Sequence, residues 1–141
     1  MFIIEEPEIF YAKKEDFPLK DETYKLIGLA MNVHKTLGKG FLEIVYKDAL
    51  ELELQWANVP YTREKSYKID YKGTFLKRFY TADFVGYGKI IIEVKAQTGI
   101  IGEDYKQTIN YLAASKLTVG LVLNFGEDSL TFKSVILTQN N

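Results

Sequence analysis

The segment KIIIEVKA, Lys89 to Ala96, constrains the fold more than any other stretch of this chain. Its run of β-branched residues suits a central strand covered on both faces, which needs helices or a second sheet above and below it. Side chains alternate along a strand, so Ile90, Ile92, Val94 and Ala96 take one face and Ile91, Glu93 and Lys95 the other. Only the second face turns polar, and only toward the end of the run. That pattern fits a strand buried at its start that opens into a cleft at its end.

The flanking sequence supplies the covering layers. From Asp21, Leu26, Ala30, Val33 and Leu37 recur at helical spacing and stop at Gly38, a residue suited to a C-terminal cap. A second helix is expected after Gly40, with Phe41, Val45, Ala49, Leu52 and Trp56 as its apolar stripe and Pro60 as its stop. Strands follow near 63–71, 74–85 and 89–96, turning at DYKGTF and VGYGK, and GEDYKQTINYLAAS (102–115) reads as a helix with acids in its first turn. LTVGLVLNF and LTFKSVIL complete the pattern, with GEDS between them. The order helix, helix, three strands, helix, two strands describes an α/β sheet with helices on its faces. Residues 1–20, with mixed charges and two prolines, are expected to form an arm, and 21–141 one domain.

Composition narrows the chemistry. The chain has no Cys and a single His, His34, which rules out thiolate nucleophiles, Cys zinc sites and multi-His metal sites. Carboxylates, Lys and Tyr are the remaining tools, and a metal bound by them would be a hard ion such as Mg²⁺ or Mn²⁺. His34 itself, beside the core residue Val33, is expected to be structural. The net charge of −1 gives no global field to attract nucleic acid, so such a partner needs a local basic patch. Without an apolar run of bilayer-spanning length or a leader pattern, a cytoplasmic protein with no membrane partner is expected.

Asp83 is the lone charge in FYTADFV, with Tyr80, Ala82 and Phe84 expected on one face and Thr81, Asp83 and Val85 on the other. An antiparallel register that pairs 83 with 93 puts Asp83 and Glu93 on one face and leaves a loop of Tyr87, Gly88 and Lys89. Two carboxylates that close repel, and one protonates unless a cation sits between them. A divalent metal held by Asp83, Glu93 and a backbone carbonyl, with Lys95 beside it, uses every charge in the segment. The blander arrangement is a Glu93–Lys95 ion pair at a sheet edge with Asp83 in solvent.

Asp83 followed by Glu93-Val94-Lys95 across a hairpin resembles the signature of the PD-(D/E)xK nuclease superfamily, whose core order of helix, three strands, helix, strand also matches. GFLEIVY, Gly40 to Tyr46, is similar to the GxxExxY pattern of a small prokaryotic family within it, and the similarity continues through ADF, IIIEVKA, QTINYL and GLVLNFG. The resemblance implies a restriction-endonuclease-like fold, a mixed sheet flanked by helices. It implies Asp83 and Glu93 as metal ligands, Glu43 as a helix-borne acid reaching toward the metal, and Lys95 as the catalytic lysine. Ala82 stands where the superfamily's proline would be. Gln107 and Tyr111 in QTINY share a helix face and resemble the Q-x-x-x-Y element of RecB-like nucleases, which faces the active site. Their plainer roles are a loop contact and a core aromatic, and that of Glu43 is a surface pair with Lys47.

The implied function is a Mg²⁺- or Mn²⁺-dependent nuclease acting on nucleic acid, with DNA the first candidate. The alternative is a non-catalytic nucleic-acid-binding or interaction module on the same fold, and a further option is an assembly protein that dimerises through its arm and exposed aromatics. Between Arg63 and Arg78, Lys65, Lys68, Lys72 and Lys77 are interleaved with Tyr67, Tyr71 and Phe75, which suits a phosphate backbone or an edge-protected, solvated hairpin.

Overall fold

The structure is a computed structural model that describes residues 2–5 and 18–138. The expected arm lies mostly outside the described residues; of it, Phe2–Glu5 forms β1. Two helices follow, α1 (Lys20–Leu37) and α2 (Glu43–Trp56). Next come β2 (Tyr61–Tyr71), β3 (Thr74–Gly86) and β4 (Ile90–Lys95), then α3 (Gly102–Ser115), β5 (Val119–Asn124) and β6 (Thr131–Thr138). The strands form one mixed sheet in the order β1-β6-β5-β4-β3-β2, in which only β4 and β5 run parallel. No described helix is long and apolar enough to cross a membrane.

The β4 alternation builds the two interior layers. Ile90, Ile92 and Val94 join Phe84, Val119, Leu121 and Leu123 beneath α1 and α2, while Ile91 joins Ala82, Val85, Tyr111 and Leu112 beneath α3. The face beneath α3 admits little bulk: a Cβ on Gly120 would lie 2.4 Å from Thr108 Cγ2. Gly38 closes α1 at φ +68°, as its position suggests.

The stripe expected on α2 is right only in part: Ala49 packs against the core and Val45 is half-buried, but the helix turns a different face fully inward. Its buried residues are Tyr46, Leu50 and Leu54, whereas Phe41 precedes the helix and is exposed with Leu52 and Trp56. Apolar residues occupy most of this helix's circumference, so periodicity alone does not choose a face. Tyr46 makes the choice: fully buried, it stacks on Phe125 at 4.7 Å between ring centroids. Glu43, one turn before Tyr46, sits at the exposed start of the row whose buried members are Tyr46, Leu50 and Leu54.

The β3 faces also need correction. Phe84 packs on the two-helix side, but Ala82 and Tyr80 pack on the α3 side together with Val85. Regular alternation breaks at Asp83. Arg63 pairs with Phe84 and Lys65 with Ala82, and between them Glu64 takes φ +57°.

Candidate active site

The β3–β4 hairpin has the register read from the sequence. Gly86 pairs with Ile90, Val85 with Ile91 and Phe84 with Ile92, leaving Tyr87, Gly88 and Lys89 as the loop. Tyr87 and Gly88 turn it at φ +57° and +68°. Past Phe84 and Ile92, side chains bridge the two strands. Asp83 N–H donates to Glu93 Oε2 at 3.0 Å, and Val94 N–H donates to Asp83 Oδ2 at 2.8 Å. Each carboxylate thus completes the neighbouring strand's hydrogen bonding, which fixes both side chains in the splayed gap.

The pairing is electrostatically costly. Glu93 is only 2% exposed. Burial, followed by the Asp83 charge, pushes its carboxyl up to about 9. The same surroundings act on Tyr111, whose hydroxyl is raised first by burial and then by the charges of Glu93 and Asp83. Tyr111 packs edge-on against Tyr80 at 5.1 Å, so its ring belongs to the core beneath α3.

Lys95 follows Glu93 on the same strand face. Its Nζ donates to Gln107 Oε1 at 2.7 Å and lies 3.9 Å from Asp104 Oδ1. Asp104 is buried and held by Gln97 Nε2 at 2.6 Å and Ile101 N–H at 2.9 Å. Gln107 and Asp104 therefore tie Lys95 to the first turns of α3. Glu43, on the exposed rim at the start of α2, has its carboxyl raised by partial burial and then by Asp83; Lys95 and Lys47 act in the opposite direction. The structure thus gathers Asp83, Glu93, Lys95, Gln107 and Tyr111 at one end of the sheet, with Glu43 at the margin.

Lys47, Asp104 and Gln97 are the members that sequence reading missed; Lys47 touches the carboxylates directly. It does not form the surface pair with Glu43; its Nζ bonds Glu64 at 2.5 Å and Asp83 Oδ1 at 3.1 Å. Its position one turn beyond Glu43, on the row that faces the sheet, was the available signal. Asp104 and Gln97 carried none, because their contacts join α3 to the loop before it. His34 lies away from this cluster, with Nε2 2.9 Å from the Glu127 carbonyl and its ring stacked on Phe125. Arg63 is engaged by Asp48 and Glu51 at 2.8 and 3.0 Å.

Among the described residues, no three acidic or His side chains converge as a metal cage. Two carboxylates still fit a small hard cation, since Mg²⁺ commonly keeps several waters and takes one or two protein carboxylates. The raised Glu93 carboxyl favours that fit, because a bound cation would offset the repulsion.

A family model described as the PD-(D/E)XK nuclease superfamily matches residues 20–135. No curated protein matches the chain. Among solved structures it is similar to the crystal structure of SSO0001, with a TM-score of 0.54 and 19% identity over 86% of this chain. It spans 62% of the length of that protein, and the likeness is one of fold.

Proposed function

This chain belongs to the PD-(D/E)XK nuclease superfamily, and we propose that it is a Mg²⁺- or Mn²⁺-dependent nuclease hydrolysing phosphodiester bonds in nucleic acid, with DNA as the first substrate to test. The observation carrying this reading is the bridged Asp83–Glu93 pair, in which the buried Glu93 carboxyl is pushed up to about 9. Holding two carboxylates there costs stability, and active sites are where such costs are retained.

Asp83 and Glu93 would hold the cation, with Glu43 as a further acid at its margin. When bound, the ion supplies charge neutralisation at the phosphate and acidifies water. Lys95 Nζ, oriented by Gln107, is positioned to hydrogen-bond the attacking water and to offset negative charge developing on the phosphate oxygens. Asp104 positions Lys95 from behind rather than reacting.

The finer GxxExxY assignment is supported by a distinct role for each of its named residues. Gly40 takes φ +112°, open to glycine and strained for other residues. Tyr46 Oη donates to the Gly38 carbonyl at 2.6 Å and accepts from Phe41 N–H at 3.2 Å, tying down the loop that starts α2. Glu43 is the residue which that anchored loop directs toward Asp83.

Cleavage of single- and double-stranded DNA and RNA with Mn²⁺ or Mg²⁺ tests the reading. Wild type should cut at least one substrate, and identically purified Lys95→Ala should lose at least about 100-fold in rate. Equal cutting by both proteins marks a contaminant. No cutting by either, with metal still bound, moves the chain to the non-catalytic binding module.

A further inference from the structure

The β2–β3 hairpin continues past the end of β4. In the register of the hairpin, Thr81 and its partner Ser66 lie level with Lys95, so residues 67–80 extend beyond the strand that carries Glu93 and Lys95. One face of this extension is covered at its inner end, where Tyr67 and Tyr80 pack with Tyr111 beneath α3. The other face is open. Lys68 is paired with Phe79 there, and Ser66 Oγ lies 2.9 Å from Thr81 Oγ1 across the strands. Lys68 Nζ sits 5.4 Å from the ring centre of Phe75, which places Phe75 on the same side. Phe75 and Phe79 are 64% and 60% exposed.

This open row lies on the α2 side of the sheet and leads inward to Asp83 and Lys47, while Glu93 and Lys95 reach the same strand end from the α3 side. Phe79 and Thr81 precede Asp83 on β3, and Phe79 is about 13 Å from Asp83 along the strand. At the inner end, Lys47 joins Glu64 to Asp83. The charge is almost all of one sign: residues 65–80 contain Lys65, Lys68, Lys72, Lys77 and Arg78 against Asp70 alone, in a chain of net charge −1, although Lys65, opposite Ala82, belongs to the α3 side. Asp70 is occupied by the turn, accepting from Gly73 N–H at 2.8 Å.

We propose that the open face of this hairpin is the track for an unpaired nucleic-acid strand, whose bases stack on Phe75 and Phe79 while Lys68 and neighbouring cations hold its phosphates, leading the chain to Asp83 and Glu93. The inference rests on the nuclease reading for its direction and names the substrate class of that site. Exposed aromatic faces among cations accept any base whose own face is free, which a duplex does not offer. Self-association through the same face is disfavoured because it would bring two copies of the basic strip together.

Binding measured in EDTA separates the track from catalysis. Fluorescence anisotropy would use a labelled 15-mer of thymidylate and a 15-base-pair duplex. Wild type should bind the single strand at least tenfold more tightly than the duplex. Phe75→Ala/Phe79→Ala should weaken single-strand binding by about 10- to 100-fold, and Lys68→Gln should lower the salt slope by about 0.7. Both changes are on exposed side chains, and an unchanged circular dichroism melt verifies folding. Single-strand binding by the double variant equal to wild type overturns the track, as does equal wild-type preference for duplex. A wild-type dimer that the double variant converts to monomer with binding unchanged assigns the face to self-association and also overturns it. Binding that depends on the two phenylalanines, with no cleavage under Mn²⁺, keeps the track and removes the nuclease reading. Cleavage with binding indifferent to them does the reverse.

Discussion

At the scale of single residues, Glu93 is a buried carboxyl under strong electrostatic strain. Its folded carboxyl is pushed up to about 9 from an ordinary value near 4.5, by burial and then by Asp83. Below the ordinary value the carboxyl is protonated in both folded and unfolded chains. Between roughly pH 4.5 and 9 the unfolded chain has released the proton and the folded one retains it, so this contribution to stability falls as pH rises and levels off above about 9. The slope is at most about 1.4 kcal/mol per pH unit for one proton. Glu93→Gln removes the titration. In metal-free buffer its melting temperature relative to wild type should rise steadily from pH 5 to pH 9, while cleavage is lost. A pH-independent difference would mean that Glu93 is not held protonated. Tyr46→Phe tests the anchor of the GxxExxY loop: loss of its two hydrogen bonds should cost about 1–2 kcal/mol in a denaturant titration.

At the scale of elements, the faces of α2 and β3 separate what periodicity can decide from what it cannot. On β4 the alternation was sufficient, because a strand in mid-sheet has only two faces and one of them turns polar at Glu93. On α2, Ile44, Val45, Tyr46, Ala49, Leu50, Leu52, Leu54 and Trp56 surround the helix, and the buried row followed Tyr46, whose stacking on Phe125 joins residues far apart in sequence. The reversal at Asp83 was hidden for a similar reason: it coincides with positive φ at Glu64, the residue opposite it on the neighbouring strand. The corrected face has a direct test. Leu50→Ala should destabilise by about 2–5 kcal/mol, whereas Leu52→Ala and Trp56→Ala should stay within about 0.5 kcal/mol in denaturant titrations. Comparable costs at Leu50 and Leu52 would restore the original stripe. Close approach between elements gives a second case. A Cβ on Gly126 would fall 2.2 Å from the Gln97 carbonyl oxygen, a backbone atom that cannot turn aside. Gly126→Ala should therefore lower the melting temperature and disturb the segment after Lys95.

At the scale of the whole molecule, one sheet places helices from both of its faces around a single strand end. Glu43 and Lys47 arrive from α2, Gln107 and Asp104 from α3, and the hairpin brings Asp83 beside Glu93. The Asp83–Glu93 register was legible because the three residues between Gly86 and Ile90 fix it by parity. The seat of Lys47 was not, since its partners lie on two other strand positions. The central claim is that Asp83 and Glu93 together hold a divalent cation, and calorimetric titration of Mn²⁺ at pH 7 in buffers of different ionisation enthalpy tests it most directly. A Glu93 carboxyl protonated near neutrality must give up its proton when it becomes a ligand. Wild type should release about one proton per ion bound, and Asp83→Asn and Glu93→Gln should each abolish binding. Binding without proton release, or binding that survives in either variant, would contradict the account.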